Sequence, residues 1–235
     1  MQIFAHRGAS AEAPENTLLA IAKALEYQVD GIEIDVHQIG QELVVIHDRW
    51  VQRTTNGKGL VANLDFKQLR SFDAGLGQQV PTLWEVMILV AGQCNLNIEI
   101  KGLQDTSILF SIMAKAEQEL GFTTEQLIVS SFDHHLLSQI KTLKPETQIG
   151  ALTASKPIKY AEFAAELGAF SVNADMAFLD EAFVLDAHRR GLKVFVYTVD
   201  EPEDLAQLYR WNVDGVFCNK PRAAKNYIRS ISSQK

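Results

Sequence analysis

The chain has 235 residues, a formal net charge of −7 and 47% apolar residues. That length suits one large domain or two small ones, with enough apolar side chains for a sizeable core. The acidic balance argues against a basic face for nucleic acid or anionic lipid, and it fits a carboxylate cluster that needs a cation.

Other classes fall away on local grounds. No apolar run approaches the roughly 18–20 residues of a membrane span. The cysteines Cys94 and Cys218 lie outside any metal-type spacing, so zinc is not expected. The start, MQIFAHRGAS, lacks the basic and long apolar regions of a signal peptide. A soluble cytoplasmic protein with no membrane anchor is the expectation; its oligomeric state is left open.

Short apolar runs alternate with segments of helical period along the chain. QIFAH (2–6) predicts a strand, NTLLAIAKALEYQ (16–28) a helix, and GIEIDVH (31–37) a second strand. Residues 38–80 break the rhythm. TLWEVMILVAG is then helical, NLNIEIK (95–101) a strand, and 104–120 a helix. Strands follow at 126–132, 148–154, 170–174, 193–199 and 214–219, with helices near 133–143, 156–168 and 179–190, in EPEDLAQLYRW, and at the end. Eight strand–helix units imply a parallel sheet and match a TIM (β/α)₈ barrel. The expected organisation is a single barrel over 1–235, with 38–80 inserted between strand 2 and helix 2. A doubly wound open sheet is the alternative.

The insertion opens with ELVVIHDRW, only about five residues after the second strand. A parallel crossover needs about a dozen or more, so an antiparallel hairpin is expected. A turn at Gly40 sets Glu33 opposite His47 and Asp35 opposite Val45, which gathers Glu33, Asp35 and His47 on one face.

Barrel strands are buried on both faces, so polar residues inside them need a reason. The second strand holds Glu33 and Asp35. The third barrel strand holds Glu99 and Lys101, and the first ends in His6 and Arg7. Strand C-terminal ends are where barrel enzymes collect catalytic groups. Three converging carboxylates suit a hard cation, Mg²⁺ or Ca²⁺. A buried ion-pair cluster, with Lys101 and Arg7 neutralising the acids, is the alternative on residue types alone. His6 and His47 flank the cluster, and two imidazoles can serve as general acid and base near neutral pH.

AHRGASAEAPENT, GIEIDVHQIGQELVVIHDRWVQRTTNGKG, VPTLWEV, NIEIKG, VSSF, VYTVDEPEDL and DGVFCNKP together resemble the glycerophosphodiester phosphodiesterase family over nearly the whole chain. The resemblance implies a TIM-type barrel, a divalent metal, and hydrolysis of small-molecule glycerophosphodiesters to sn-glycerol 3-phosphate and an alcohol. By match to its motifs, His6 and His47 would be the catalytic pair, and Glu33, Asp35 and Glu99 the metal ligands. Arg7 and Lys101 would bind phosphate, Glu15 would support the site, and Phe132 and Tyr197 would line the substrate pocket. The chain departs from the family's usual pattern at Tyr197 (often Trp), Asn219 (often Asp) and His37 (often Gln). These departures bear on substrate choice more than on the reaction.

Rival readings are a lysophospholipid-cleaving relative, a Schiff-base aldolase using Lys101, and a barrel that binds metal or phosphate without catalysis. Phe132 is a core residue by default. TTNGKG (54–59) reads as a plain tight turn, with a phosphate-cradling loop as the alternative, and His134 and His135 read as solvated surface residues. Cys218 reads as an apolar filler, and Trp84 and Trp211 as packing residues.

Overall fold

A computed structural model describes residues 1–233. In chain order the elements are β1 (Gln2–His6), α1 (Leu18–Glu26), β2 (Gly31–Ile39), β3 (Glu42–Val45), α2 (Phe66–Arg70), α3 (Leu83–Val90), β4 (Asn95–Gly102) and α4 (Thr106–Glu119). Then come β5 (Leu127–Ser131), α5 (His134–Leu143), β6 (Gln148–Thr153), α6 (Glu162–Glu166), β7 (Ser171–Asp175), α7 (Glu181–Arg189), β8 (Lys193–Tyr197), α8 (Pro202–Arg210), β9 (Gly215–Cys218) and α9 (Pro221–Ser232).

All strands except β3 run parallel, and β1 pairs with both β2 and β9, which closes the sheet into an eight-stranded barrel. Closure removes the open-sheet alternative. The chemistry of the helix starts explains why strands give way to helices where they do. Thr17, Asp105, Asp133 and Asp180 cap the first turns of α1, α4, α5 and α7 with side-chain oxygens, and Pro202 and Pro221 open α8 and α9. The segment predicted helical at 156–168 forms only the short α6.

Two apolar layers result. Outward-facing strand residues such as Ile32, Ile98, Val129 and Val194 pack under the helices in one continuous cluster. Inside the barrel, Phe4, Ile128, Phe195 and Phe217 form a separate plug, with Phe4 5.2 Å from both Phe195 and Phe217 between ring centroids. A Cβ on Gly31 would sit 2.3 Å from the Phe4 ring, so glycine there makes room for the plug. The plug seals the barrel below its C-terminal mouth, and most of the charged and polar residues inside the barrel lie above it.

The β2–β3 hairpin differs from the sequence expectation by one residue. Ile39 pairs with Glu42 and Val36 with Val45, so the turn is the two-residue Gly40–Gln41, with Gly40 at φ +57°. Primed two-residue turns favour glycine there. Glu33 therefore does not face His47 across a ladder. The ladder ends at Val45, which bonds onward to Pro81, and His47 lies in irregular chain beyond it. A small apolar cluster of Ile39, Val44, Ile46, Val51, Val61, Leu69, Ala74 and Val80 holds this segment together. Among the described residues no helix is long and apolar enough to cross a membrane.

Candidate active site

Arg7 is the hinge on which the site turns. It takes φ +58°, a left-handed backbone that costs a non-glycine residue energy. The next residue, Gly8, is at φ +79°, and a Cβ there would lie 2.6 Å from the Ala20 carbonyl carbon. That bend lets the Arg7 N–H donate to Glu33 Oε2 at 2.9 Å. The guanidinium donates from Nη1 to Glu15 Oε1 at 2.8 Å, and its Nε lies 3.2 Å from Asp35 Oδ2.

Glu33, Asp35 and Glu99 are all buried, and one oxygen from each lies within 4.8 Å of the others. Asn16 Nδ2 donates to Asp35 Oδ2 at 2.8 Å. Lys101 Nζ pairs with Glu99 and lies 3.2 Å from Asp35 Oδ1 without hydrogen-bond alignment. Glu33 Oε1 and Asp35 Oδ1 accept no hydrogen bond among the described residues.

Electrostatics separate the three acids. Burial, then repulsion from Asp35 and Glu99, pushes the Glu33 carboxyl well above its ordinary value. Burial and Asp35 likewise raise Glu99. Burial also works against the Asp35 carboxylate, but Lys101 and Arg7 outweigh it and hold that group low. Lys101 is desolvated too, yet Asp35 and Glu99 hold its ammonium above the ordinary lysine range. An amine held as an ammonium by two carboxylates is a poor Schiff-base nucleophile, which argues against the aldolase reading.

The ion-pair alternative accounts for only part of this cluster. Glu15, Glu33, Asp35, Asp48 and Glu99 are linked through Arg7, Arg53 and Lys101, so five carboxylates face three cations. A divalent cation would relieve the repulsion that raises Glu33 and Glu99, and the unpaired oxygens of Glu33 and Asp35 fit a hard cation's preference for carboxylate donors.

The two histidines are held by different partners. His6 Nδ1 lies 2.8 Å from Asn219 Oδ1, while Asn219 Nδ2 donates to Asp200 Oδ2 at 2.6 Å. A carboxylate only accepts, so the amide must turn its nitrogen to Asp200 and its oxygen to His6. His6 therefore carries its proton on Nδ1 and leaves Nε2 bare, 3.9 Å from Glu33 Oε2. Burial, with Arg7 alongside, holds this ring below the usual imidazole range and keeps it neutral.

His47 Nδ1 instead donates to Asp48 Oδ1 at 2.6 Å. Arg53 grips Asp48 from Nε at 2.6 Å and Nη2 at 2.9 Å, and reaches Glu15 at 2.8 Å from both terminal nitrogens. The Arg53 hydrogen bonds hold the Asp48 carboxyl far below the usual range despite some burial. An ionised carboxylate on Nδ1 can balance the charge of a ring that carries a second proton on Nε2.

All the nominated residues except Asp35 and Glu15 line one pocket of about 180 Å³ above the barrel plug. Asp35 and Glu15 lie behind its wall, in contact with Arg7. Phe132 is corrected from core to surface: it is 47% exposed, because it stands one residue past β5 with its ring edge-on to Tyr197 at 6.1 Å. The Tyr197 hydroxyl donates to Thr153 O at 2.9 Å. His37 is buried, with Nε2 3.1 Å from the His47 carbonyl oxygen, so it braces His47 from behind. His134 is not a solvated residue either: it stacks on Phe163 at 5.0 Å and bonds Leu152 O through Nε2.

Sequence reasoning missed Asp48, Arg53, Asn16 and the Asp200–Asn219 relay. Asp48 carried a signal in its place directly after His47, and Asn219 stood out only as a departure from the family pattern. It also missed Asn97 and Asn173, which form the pocket's polar lower wall. Asn97 Nδ2 donates to Ser130 Oγ, and Ser171 Oγ donates to Asn173 Oδ1. Asn97 Oδ1 and Asn173 Nδ2 have no partner among the described residues.

The model of the Glycerophosphoryl diester phosphodiesterase family matches residues 6–223. The chain is 35% identical over 238 residues to a glycerophosphodiester phosphodiesterase of Caldanaerobacter subterraneus subsp. tengcongensis, covering 97% of each chain. A glycerophosphodiester phosphodiesterase of Bacillus subtilis is 31% identical over 92% of this chain and 83% of its own. Among solved structures, an Oleispira antarctica phosphodiesterase in complex with the product sn-glycerol-3-phosphate superposes with a TM-score of 0.88 at 28% identity, covering 97% of each chain.

Proposed function

The chain belongs to the glycerophosphoryl diester phosphodiesterase family and is a phosphoric diester hydrolase, and from that premise we propose that it cleaves glycerophosphodiesters to an alcohol and sn-glycerol 3-phosphate between His6 and His47. The observation that carries the residue roles is the contrast between the two imidazoles on either side of the carboxylate cluster. One is neutral with a bare Nε2, and the other is backed by an ionised Asp48.

Glu33, Asp35 and Glu99 would hold Mg²⁺ or Ca²⁺, which supplies a positive centre for phosphate oxygens as charge develops on them. Arg7 and Lys101 add fixed positive charge on the same side of the pocket. Asn97 Oδ1 and Asn173 Nδ2 offer one acceptor and one donor to glycerol hydroxyls. His6 Nε2 takes the proton of the glycerol 2-hydroxyl, whose oxygen attacks phosphorus. The bond to the alcohol oxygen breaks as that oxygen takes a proton from His47 Nε2, leaving a cyclic phosphate. His47 then draws a proton from water, the water oxygen attacks phosphorus, and His6 returns its proton to the 2-oxygen. The His6 and His47 steps each contribute roughly 10²–10⁴ in rate.

The test is release of sn-glycerol 3-phosphate from glycerophosphocholine by metal-stripped protein, with Mg²⁺ or Ca²⁺ restored, for the parent and for His6→Ala and His47→Ala. Turnover that needs an added cation and both imidazoles is the expected result. Full turnover in excess chelator, or by either variant, would overturn the assignment.

A further inference from the structure

A phosphodiester has two arms, and the pocket between the histidines accounts for one. Its lower wall of Asn97 and Asn173 matches the hydroxyls of a glycerol arm, because an alcohol O–H can both donate and accept. A second cavity, about 530 Å³, opens beside it. The two share Glu99, Lys101 and Phe132, so they are continuous at the rim where the phosphoryl group is proposed to sit. The groove runs from Gly102 and Leu103, at the end of β4, to the first turns of α5, and its size is in the range of small-molecule sites.

Its charge is specific. Lys101 spends its ammonium on Glu99 and Asp35. Asp133 caps α5 through Oδ1, accepting from the N–H groups of His135 at 3.0 Å and Leu136 at 3.1 Å. Among the described residues no Lys, Arg or His side chain pairs with it. Next to it the Phe132 ring is 47% exposed. Lys101 Nζ stands 5.8 Å from the centroid of this ring, at the outer limit of a cation–π contact, so the ring already tolerates one cation and keeps half its surface for another. A carboxylate beside such a half-exposed ring attracts an ammonium group and gives nothing special to a neutral polyol. His135 and Gln139 complete that wall.

Resting on the activity proposed above, we propose that this groove is the subsite for the departing alcohol, and that Phe132 and Asp133 make it select cationic amino alcohols such as choline or ethanolamine. The glycerol arm then stays above the barrel plug, and the amino alcohol leaves through the groove once it takes its proton.

Asp133→Asn tests the charge alone, since Asn caps a helix about as well as Asp. Phe132→Leu tests the ring. The measurement is kcat/KM for glycerophosphocholine and for glycerophosphoglycerol, whose departing arm is neutral. Both are assayed at pH 8, and thermal melts check that both variants fold. The parent should favour the choline substrate. Each variant should lower the choline-to-glycerol ratio about three- to fivefold, mainly through KM, as expected of exposed cation–π and ionic contacts. A ratio unchanged in both variants overturns the subsite while leaving the activity standing. A parent that releases sn-glycerol 3-phosphate from neither substrate refutes the activity, and the subsite with it.

Discussion

Asp48→Asn is the sharpest probe of the two-histidine scheme, because it changes a charge without changing a shape. In the native site Asp48 receives hydrogen bonds from His47 Nδ1 on one side and Arg53 on the other. Arg53 can only donate. An asparagine would therefore turn its oxygen to Arg53 and its amide nitrogen to His47. Nδ1 of His47 would have to accept, which moves the ring proton to Nε2 in a neutral imidazole. A neutral ring facing no carboxylate cannot release that proton to a departing alkoxide at useful cost. Losing a positioned general acid is worth roughly 10²–10³ in rate, about 3–4 kcal/mol. The assay compares kcat/KM on glycerophosphocholine with that on glycerophospho-p-nitrophenol, whose leaving group departs without a proton. Asp48→Asn should lose the full factor on the first and recover most of it on the second. Equal losses on both substrates would refute the acid role of His47. A loss under about threefold on glycerophosphocholine would show that Asp48 does not govern the ring.

Cation binding should be visible without turnover. With Glu33 forced toward its protonated form by burial and its neighbours, adding Mg²⁺ or Ca²⁺ to metal-stripped protein should raise its melting temperature, by about 2.7 kcal/mol of stability at a hundredfold excess over Kd. Asp35→Ala should lose that increment, and an equal rise in the variant would remove Asp35 from the site. Far from the site, Asp214 accepts from Lys193 Nζ and the Val194 N–H, both at 2.9 Å, and lies 2.9 Å from His188 Nε2. Burial opposes its charge, but these partners hold its carboxyl below the ordinary value. Its folded value is depressed, so its contribution is present above the unfolded value near pH 4 and is lost as pH falls through the folded value. Asp214→Asn should cost about 1 kcal/mol at pH 7 and converge with the parent at low pH in denaturant titrations. A gap that widens on acidification would contradict this.

Sequence alone carried the barrel, and its motifs carried the resemblance to a phosphodiesterase family. Alternating apolar runs and helical periods are local signals, and eight of them leave few ways to close a core. Glu33, Asp35, Glu99 and Lys101 were legible because charges inside apolar strands are costly without a purpose, and strand alternation put each pair on one face. The hairpin register was not legible to one residue. A one-residue slip in a strand flips every side chain, and the glycine at 40 marks a turn without telling a one-residue from a two-residue connection, which here is Gly40–Gln41. His47 reached the pocket anyway, because the ladder stops at Val45 and the following chain bends free of strand alternation. The partners that separate the two histidines belong to the tertiary structure. Asn219 meets His6 across 213 positions of chain, and Arg53 meets Glu15 across 38. Only the pairing of β1 with β9 and the folding of the insertion over the barrel mouth bring them within hydrogen-bond reach, because a hydrogen bond depends on ångström distances that no local pattern encodes.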